Sequence, residues 1–501
     1  MIAVKCSKDN FIYDVHSLVK AFYPGEDVKV FVQGEKDIKS DNGPEIEIVY
    51  GDDSSEIRIY EVEEDNVTNP AEVELAVSMT SDKASYANRA DYKNCLKQVI
   101  YKSLSQYTGK ELPWGTLTGI RPTKIAVSLI KEGKSDEEVA KHYKDVYLAS
   151  EEKTKLAIEI AHRELGILSK INSQDGYSLY LGIPFCPTTC LYCSFTSFPR
   201  ALYAKQIDEY IGCLKKEIDY VAESFKDKVL DSVYIGGGTP TTLTAEELHE
   251  LITYLQSKLD WSTVKEFTVE AGRADSITRD KLQTMYDLGV TRISVNPQTF
   301  KQETLDLIGR RHTVEQVLEA YTLAREIGFD NINMDLIAGL PGETIDDVRN
   351  TLEKCKELRP DSLTVHSLAV KRASKLGAWI EEHGIDRINN TDEIMQMCAT
   401  YAKEMQVNPY YMYRQKNMSG NLENVGYARE GKEGIYNMLI MEEVQTIVAL
   451  GAGTVTKRVY LGDGVSGSNI RIERCDNVKD VGLYIEKIDE MIGRKRELFG
   501  E

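Results

Sequence analysis

The chain is short of cysteine, histidine and positive charge, and each shortage removes a class of protein. Nine cysteines in 501 residues are too sparse for a disulfide scaffold. A net charge of −19 argues against a general nucleic-acid binder, because neutralising phosphates needs a basic surface. It leaves room for a local basic pocket. No uninterrupted apolar run reaches membrane-spanning length. The opening MIAVKCSKDN has neither an apolar signal core nor a cleavage site. The expectation is a cytoplasmic protein with no membrane span, working in a reducing compartment. Hydrophobic residues, at 42%, suffice for globular cores. The length suggests roughly three domains at about 150 residues each.

Against that scarcity, three cysteines crowd into SLYLGIPFCPTTCLYCSF, residues 178–195: Cys186, Cys190 and Cys193. The spacing is C-x3-C-x2-C, just after an apolar run that reads as a buried strand. Three thiolates are one short of the usual set for an iron–sulfur cluster. A site left open by one ligand is what a catalytic metal needs. A zinc site would want a fourth Cys or a His close by, and no His follows Cys193 within twenty residues. The other six cysteines are scattered and read as free buried thiols.

The chain changes rhythm twice. Residues 1 to about 85 alternate apolar and polar positions, as in VKVFVQG, IEIVYGD and IRIYEVEE, and read as short strands. Residues 90–170 turn helical, interrupted by the Gly-, Pro- and Thr-rich loop 112–125. From about 175, apolar strands alternate with amphipathic helices. The strands read SLYLGI (178–183), SVYIGGG (232–238), EFTVEAG (266–272), RISVNPQ (292–298), NINMDLIAG (331–339) and SLTVHSLA (362–369). Six such units imply parallel strands with helices outside, a partial barrel. Sites in such architectures gather at the carboxyl ends of the strands. Beyond about 380 the chain is mixed. The expected organisation is an N-terminal α+β domain at 1–172, a partial parallel (β/α)6 barrel at 173–380, and a mixed, mainly helical domain at 381–501 that covers the substrate.

The polar residues at those strand ends are candidates for chemistry. The glycines of IGGGTPTTL, 235–243, let a ligand approach the backbone and read as a cradle for an amino group and a carboxylate. Thr244 opens TAEE, a capping box that defines the next helix. Glu270 at a strand end is either solvated or a ribose contact. Asp335 interrupts an apolar strand, and a buried carboxylate must pair with a cation or bind a ligand.

Together these pieces resemble the radical S-adenosylmethionine superfamily. Within it the chain resembles the oxygen-independent coproporphyrinogen III oxidase group, which also includes heme chaperones. The matching pieces are IPFC, LYCSF, GGGTPT, GRRHT and NMDLIAGLPGET, between about 175 and 455. ENVGYA and the strand-rich N-terminus resemble the Z-type branch, the coproporphyrinogen dehydrogenases. The resemblance implies that Cys186, Cys190 and Cys193 hold a [4Fe–4S] cluster, whose free iron takes the amino and carboxylate groups of S-adenosylmethionine. Tyr180, Tyr192, Gly237 and Glu270 match positions that contact this cofactor. Gly238, Thr239, Gln298, Arg310, Asp335 and Ala369 match positions near a second S-adenosylmethionine. The implied reaction is anaerobic oxidative decarboxylation of two propionates of coproporphyrinogen III to vinyls by a 5′-deoxyadenosyl radical, in heme biosynthesis. It uses two S-adenosylmethionine molecules and an electron donor such as a flavodoxin or ferredoxin. A tetrapyrrole with four propionates needs cations, for which Arg310, Arg311, Lys371, Arg372 and Arg414 are candidates. The alternatives are a heme chaperone, in which His312 and His366 could meet heme iron, or a radical enzyme that modifies heme. Phe195 stands where the oxidase branch carries a fourth Cys, a residue the chaperone branch also lacks.

Overall fold

The computed structural model describes residues 1–35, 38–41, 43–62, 74–119, 121–371, 373–384, 388, 390–415, 422–461 and 471–501. The chain divides into two compact units, Met1–Ala161 with Arg414–Asn421, and His162–Tyr413 with Leu422–Glu501. Among the described residues no helix is long and apolar enough to cross a membrane.

The first unit is a five-stranded sheet backed by helices. Its strands are β1 (Ile2–Cys6), β2 (Val28–Val32), β3 (Glu45–Tyr50), β4 (Ser55–Glu61) and β5 (Glu74–Thr80), in the order β2-β1-β3-β4-β5. β1 runs parallel to both neighbours, and β3, β4 and β5 are antiparallel. The period-two pattern of EIEIVY and SEIRIYE puts Ile46, Ile48, Ile57 and Ile59 on one buried face. Helix α1 (Ile12–Phe22) and helix α2 (Arg89–Thr108) cover that face with Leu18, Phe22, Leu96, Ile100 and Leu104. Burying such side chains contributes about 1.5–3 kcal/mol each. Asn88 caps α2 by accepting from Asp91 N, and Gly109 ends it in the left-handed region at φ 66°. The alternating strands expected over 1–85 are present. Helix α1, packed between the first two strands in sequence, adds a helical period within that stretch.

The second unit is built on an eleven-stranded sheet. Six strands, β6 (Gly176–Ile183), β7 (Val229–Gly237), β8 (Glu266–Gly272), β9 (Arg292–Val295), β10 (Ile332–Ala338) and β11 (Ser362–Ser367), are all parallel and lie side by side in sequence order. Each is followed by at least one helix, the arrangement expected of repeated βα units. Capping boxes at Thr244/Glu247, Thr313/Gln316 and Thr344/Asp347 start three of these helices. β12 (Asn408–Tyr413) and β13 (Asn424–Ala428) extend the sheet antiparallel beyond β11. β14 (Thr446–Leu450) pairs parallel with β6, and β15 (Val455–Tyr460) and β16 (Arg471–Asp476) continue antiparallel. The strand order is linear, so the six parallel strands form an open, partial barrel as expected. The chain beyond 380 therefore adds strands to both edges of this sheet. Its C-terminal helix, Ile488–Phe499, packs on helix Ile207–Ser224.

Candidate active site

The three thiols sit on a loop whose neck is closed. β6 ends at Ile183, and Phe185–Cys186 then bridges Phe198–Pro199 in parallel, with Phe198 N donating to Pro184 O at 2.8 Å. Inside the loop, Cys193 N donates to Cys190 O at 3.2 Å. Thr188 Oγ1 donates to Gly309 O and Leu191 N to Ile308 O, fastening the loop to the segment after helix Gln302–Leu307. Cys186 Sγ lies 3.4 Å from Thr239 Oγ1. Arg273, just past the end of β8, donates to Thr188 O, Thr188 Oγ1 and, at 3.8 Å, Cys190 Sγ. Its other edge grips Asp275 through two hydrogen bonds. Burial pushes the Cys186 thiol up to about 11, and the neighbouring Cys193 and Cys190 add to the rise. Burial also raises Cys193. Among the described residues no group of three or more His, Cys, Asp or Glu side chains is placed so that it could hold a metal ion.

The glycines pack β7 against the cysteine strand. Gly237 sits opposite Ile183 at φ +112°, a conformation that favours glycine. A Cβ on Gly238 would stand 2.7 Å from Phe185 O and 3.0 Å from Cys186 Sγ. Gly238 N and Thr239 N instead donate to Ile183 O and Phe185 O. A Cβ on Gly236 would stand 3.1 Å from the Glu270 carboxyl. Burial lifts the Glu270 carboxyl to about 7, against a hydrogen bond from Tyr234, with the nearby Asp335 charge raising it and Arg292 lowering it. Tyr180, Tyr234 and Tyr436 stack beside it, with ring centroids 4.5–6.0 Å apart.

A third group lines up along β9 and β10. Gln298 occupies the left-handed region at φ 67°, its N donating to Asp335 O and its O accepting from Ile337 N. Asp335 accepts from Asn333 Nδ2 at 2.7 Å and lies 4.0 Å from His366 Nε2. Arg310, 6% exposed, donates to Asn296 O and lies against Tyr192 and Cys190. Three buried polar atoms here lack a protein partner: Gln298 Oε1, Asn296 Oδ1 and Arg310 Nε. Buried polar atoms left unmatched point to a ligand or water that completes them. Ala369, two residues past β11, is half-buried.

Most of the sequence candidates fall at the carboxyl ends of β6 to β11. Arg311 is exposed. Lys371 is half-buried, its pKa lowered by burial. Arg372 lies outside the described residues. Arg414 belongs to the first unit, buried and donating to Leu117 O. His312 is fully buried, its ring nitrogens without a hydrogen bond and Nδ1 4.0 Å from Asp275 Oδ1, and burial drops its pKa to about 4, so it is neutral. Arg273, Asp275, Asn296 and Tyr436 are polar groups at the site that sequence reasoning gave no role. The signal for the first two was the RAD triplet directly after VEAG.

Residues 180–355 match the sequence model of the Radical SAM superfamily. The oxygen-independent coproporphyrinogen-III oxidase-like protein HemZ of Bacillus subtilis (strain 168) is 40% identical over 407 residues, 80% of each chain. The chain belongs to the radical SAM coproporphyrinogen oxidase group. The heme chaperone HemW of the same organism is 30% identical over 314 residues, 62% of this chain and 76% of that one. A solved structure, coproporphyrinogen III oxidase HemN from Escherichia coli, shares the fold with a TM-score of 0.51 at 22% identity, over 66% of this chain and 72% of that chain. Membership in this heme-related family implies a [4Fe–4S] cluster and S-adenosylmethionine. The residues present fit both. Three thiols on one pinned loop supply soft donors and leave one iron open, and the unmatched buried atoms beside them await a polar ligand.

Proposed function

We propose that this radical SAM protein converts two propionates of coproporphyrinogen III to vinyls under anaerobic conditions, giving protoporphyrinogen IX and using two molecules of S-adenosylmethionine. On this reading Cys186, Cys190 and Cys193 hold the cluster. When bound, the reduced cluster and S-adenosylmethionine would supply a 5′-deoxyadenosyl radical to take a hydrogen atom from a propionate β-carbon; each reacting propionate would then lose its carboxylate as CO2 and give one electron to an electron acceptor, leaving the vinyl group. Tyr180, Tyr192, Gly237 and Glu270 seat the first S-adenosylmethionine. Gly238, Thr239, Gln298, Arg310, Asp335 and Ala369 serve the second. Glu270, with its raised pKa, exchanges its proton for a hydrogen bond from a ribose hydroxyl. The pinned cysteine loop and the stacked tyrosines exclude water from the reacting centre. Arg311, Lys371 and Arg372 are proposed to meet propionates. The electron donor is a small flavodoxin- or ferredoxin-like protein.

The observation that carries this reading is the unmatched set Gln298 Oε1, Asn296 Oδ1 and Arg310 Nε beside the cysteines. A second polar cofactor would complete it. The chaperone reading keeps its support from the similarity to HemW and from Phe195, 75% exposed, at the place of a fourth Cys. Arg310→Ala separates the two. It is expected to keep full iron and sulfide while losing decarboxylation, and Arg310→Lys to recover it only in part, because an ammonium cannot reproduce the guanidinium fork. Normal product yield from Arg310→Ala would remove the residue from the active site.

A further inference from the structure

The first unit contains a cavity of about 550 Å³, within the range of small-molecule sites. It has no part in the chemistry above. Its walls come from α1, α2, the 112–125 loop and the Arg414 segment. In a chain of net charge −19, the described lining residues include Lys20, Lys93, Lys97 and Arg414 against one carboxylate, Asp14. Lys93 and Lys97 stand one turn apart on α2, a spacing at which like charges repel by about 0.2–0.5 kcal/mol. Lys97 is 9% exposed, and its one hydrogen bond runs 3.5 Å to Thr118 Oγ1. Among the described residues no carboxylate lies within ion-pair distance of Lys93 or Lys97. Lys20 is engaged by Glu26 O. A buried ammonium without an anion is costly, and it either gives up its proton more readily or takes a counter-charge. Burial and the neighbouring Lys93 and Arg414 drop the Lys97 pKa to about 8, Asp14 opposing them. The lining also includes the apolar and aromatic side chains Leu117, Ile125 and Tyr147.

We propose that this cavity binds a small organic acid, its carboxylate held by Lys97 and Lys93 and its apolar body lying against Leu117, Ile125 and Tyr147. The inference does not depend on the reaction proposed for the second unit. Two sources offer that chemistry: a medium-chain fatty acid and a propionate-bearing tetrapyrrole. Calorimetric titration of the full chain with decanoate is the test, with decanol as the uncharged probe. Wild-type protein is expected to bind decanoate in a 1:1 ratio and to bind decanol at least about tenfold more weakly, a single charge-assisted contact being worth that much. Lys97→Met, which removes a buried charge and fills the same space, is expected to weaken decanoate about tenfold. Lys93→Gln, at a less buried position, carries the same comparison if Lys97→Met fails to fold, with a loss of about threefold. Coproporphyrin III titrated into wild type and variant then distinguishes the sources. A component lost with Lys97 names the tetrapyrrole; an unchanged isotherm, with the decanoate effect retained, names the simple acid. Equal affinity for decanoate and decanol, decanoate affinity unchanged in both lysine variants, or no binding of either acid that depends on Lys97 overturns the proposal.

Discussion

At the scale of single residues, the chemistry rests on groups that burial has moved away from their ordinary behaviour. Cys186 and Cys193, two of the three thiols on the loop, are the central case. Cys186→Ala is expected to abolish cluster assembly, because two thiolates cannot hold it. Iron and sulfide analysis of the anaerobically reconstituted protein reads the effect, and Cys213→Ala, on a helix away from the loop, is expected to keep full content. Glu270 gives a second test. Its carboxyl is raised from about 4.3 when unfolded to about 7 when folded. Between those values the folded state binds more protons, so its stability falls as pH rises through the window. Glu270→Gln removes that dependence. In the absence of ligand, the wild-type melting temperature is expected to drop relative to Glu270→Gln between about pH 4 and 7, reflecting a stability difference of up to about 3 kcal/mol. Parallel curves would contradict the raised carboxyl. The cysteine triplet was legible in the sequence because spacing alone carries it. The Arg273 grip on the loop was not, because its partners Thr188 and Cys190 lie more than eighty residues away in the chain. The glycines were legible as glycines, though one reason for them is internal: Gly238 leaves room for Phe185 O and Cys186 Sγ.

At the scale of elements, hydrophobic period and strand-end polarity located the parallel strands well. EFTVEAG is the whole of β8, and the other five parallel strands overlap their predicted segments, because strands buried on both faces read as continuous apolar runs. The later strands were harder. NPYYMY forms β12 and ENVGYA contains β13, yet their aromatic and glycine content gave no clear period, and their partners in the sheet come from distant sequence. The C-terminal helix shows how such elements are held. Lys495 and Glu217, both fully buried, form an ion pair at 2.7 Å, and Glu217 also accepts from Gly451 N, Asn477 and Tyr484. Removing one partner leaves the other charge buried and unpaired, at about 3–5 kcal/mol. Lys495→Met is expected to lower the melting temperature strongly, and the double variant Lys495→Met, Glu217→Leu to recover part of the loss. A double variant no better than the single would show that Glu217 matters through its other hydrogen bonds.

At the scale of the whole molecule, the sequence separated a strand-rich N-terminal region from a βα region, and the first compact unit ends at Ala161 before the βα region begins. What local pattern could not show is that residues 414–421 belong to the first unit and that strands from beyond residue 408 complete the second unit's sheet at both edges. Both depend on pairings across hundreds of residues. Family membership follows from 40% identity over most of the chain, while the relatives divide between oxidases and heme chaperones. The most direct test is anaerobic incubation of the reconstituted protein with S-adenosylmethionine, a reductant and coproporphyrinogen III, with products read by mass spectrometry. The proposed reaction predicts a mono-vinyl intermediate followed by protoporphyrinogen IX, with one 5′-deoxyadenosine for each propionate lost. Stoichiometric heme binding with no decarboxylated product would contradict it and assign the chain to heme delivery.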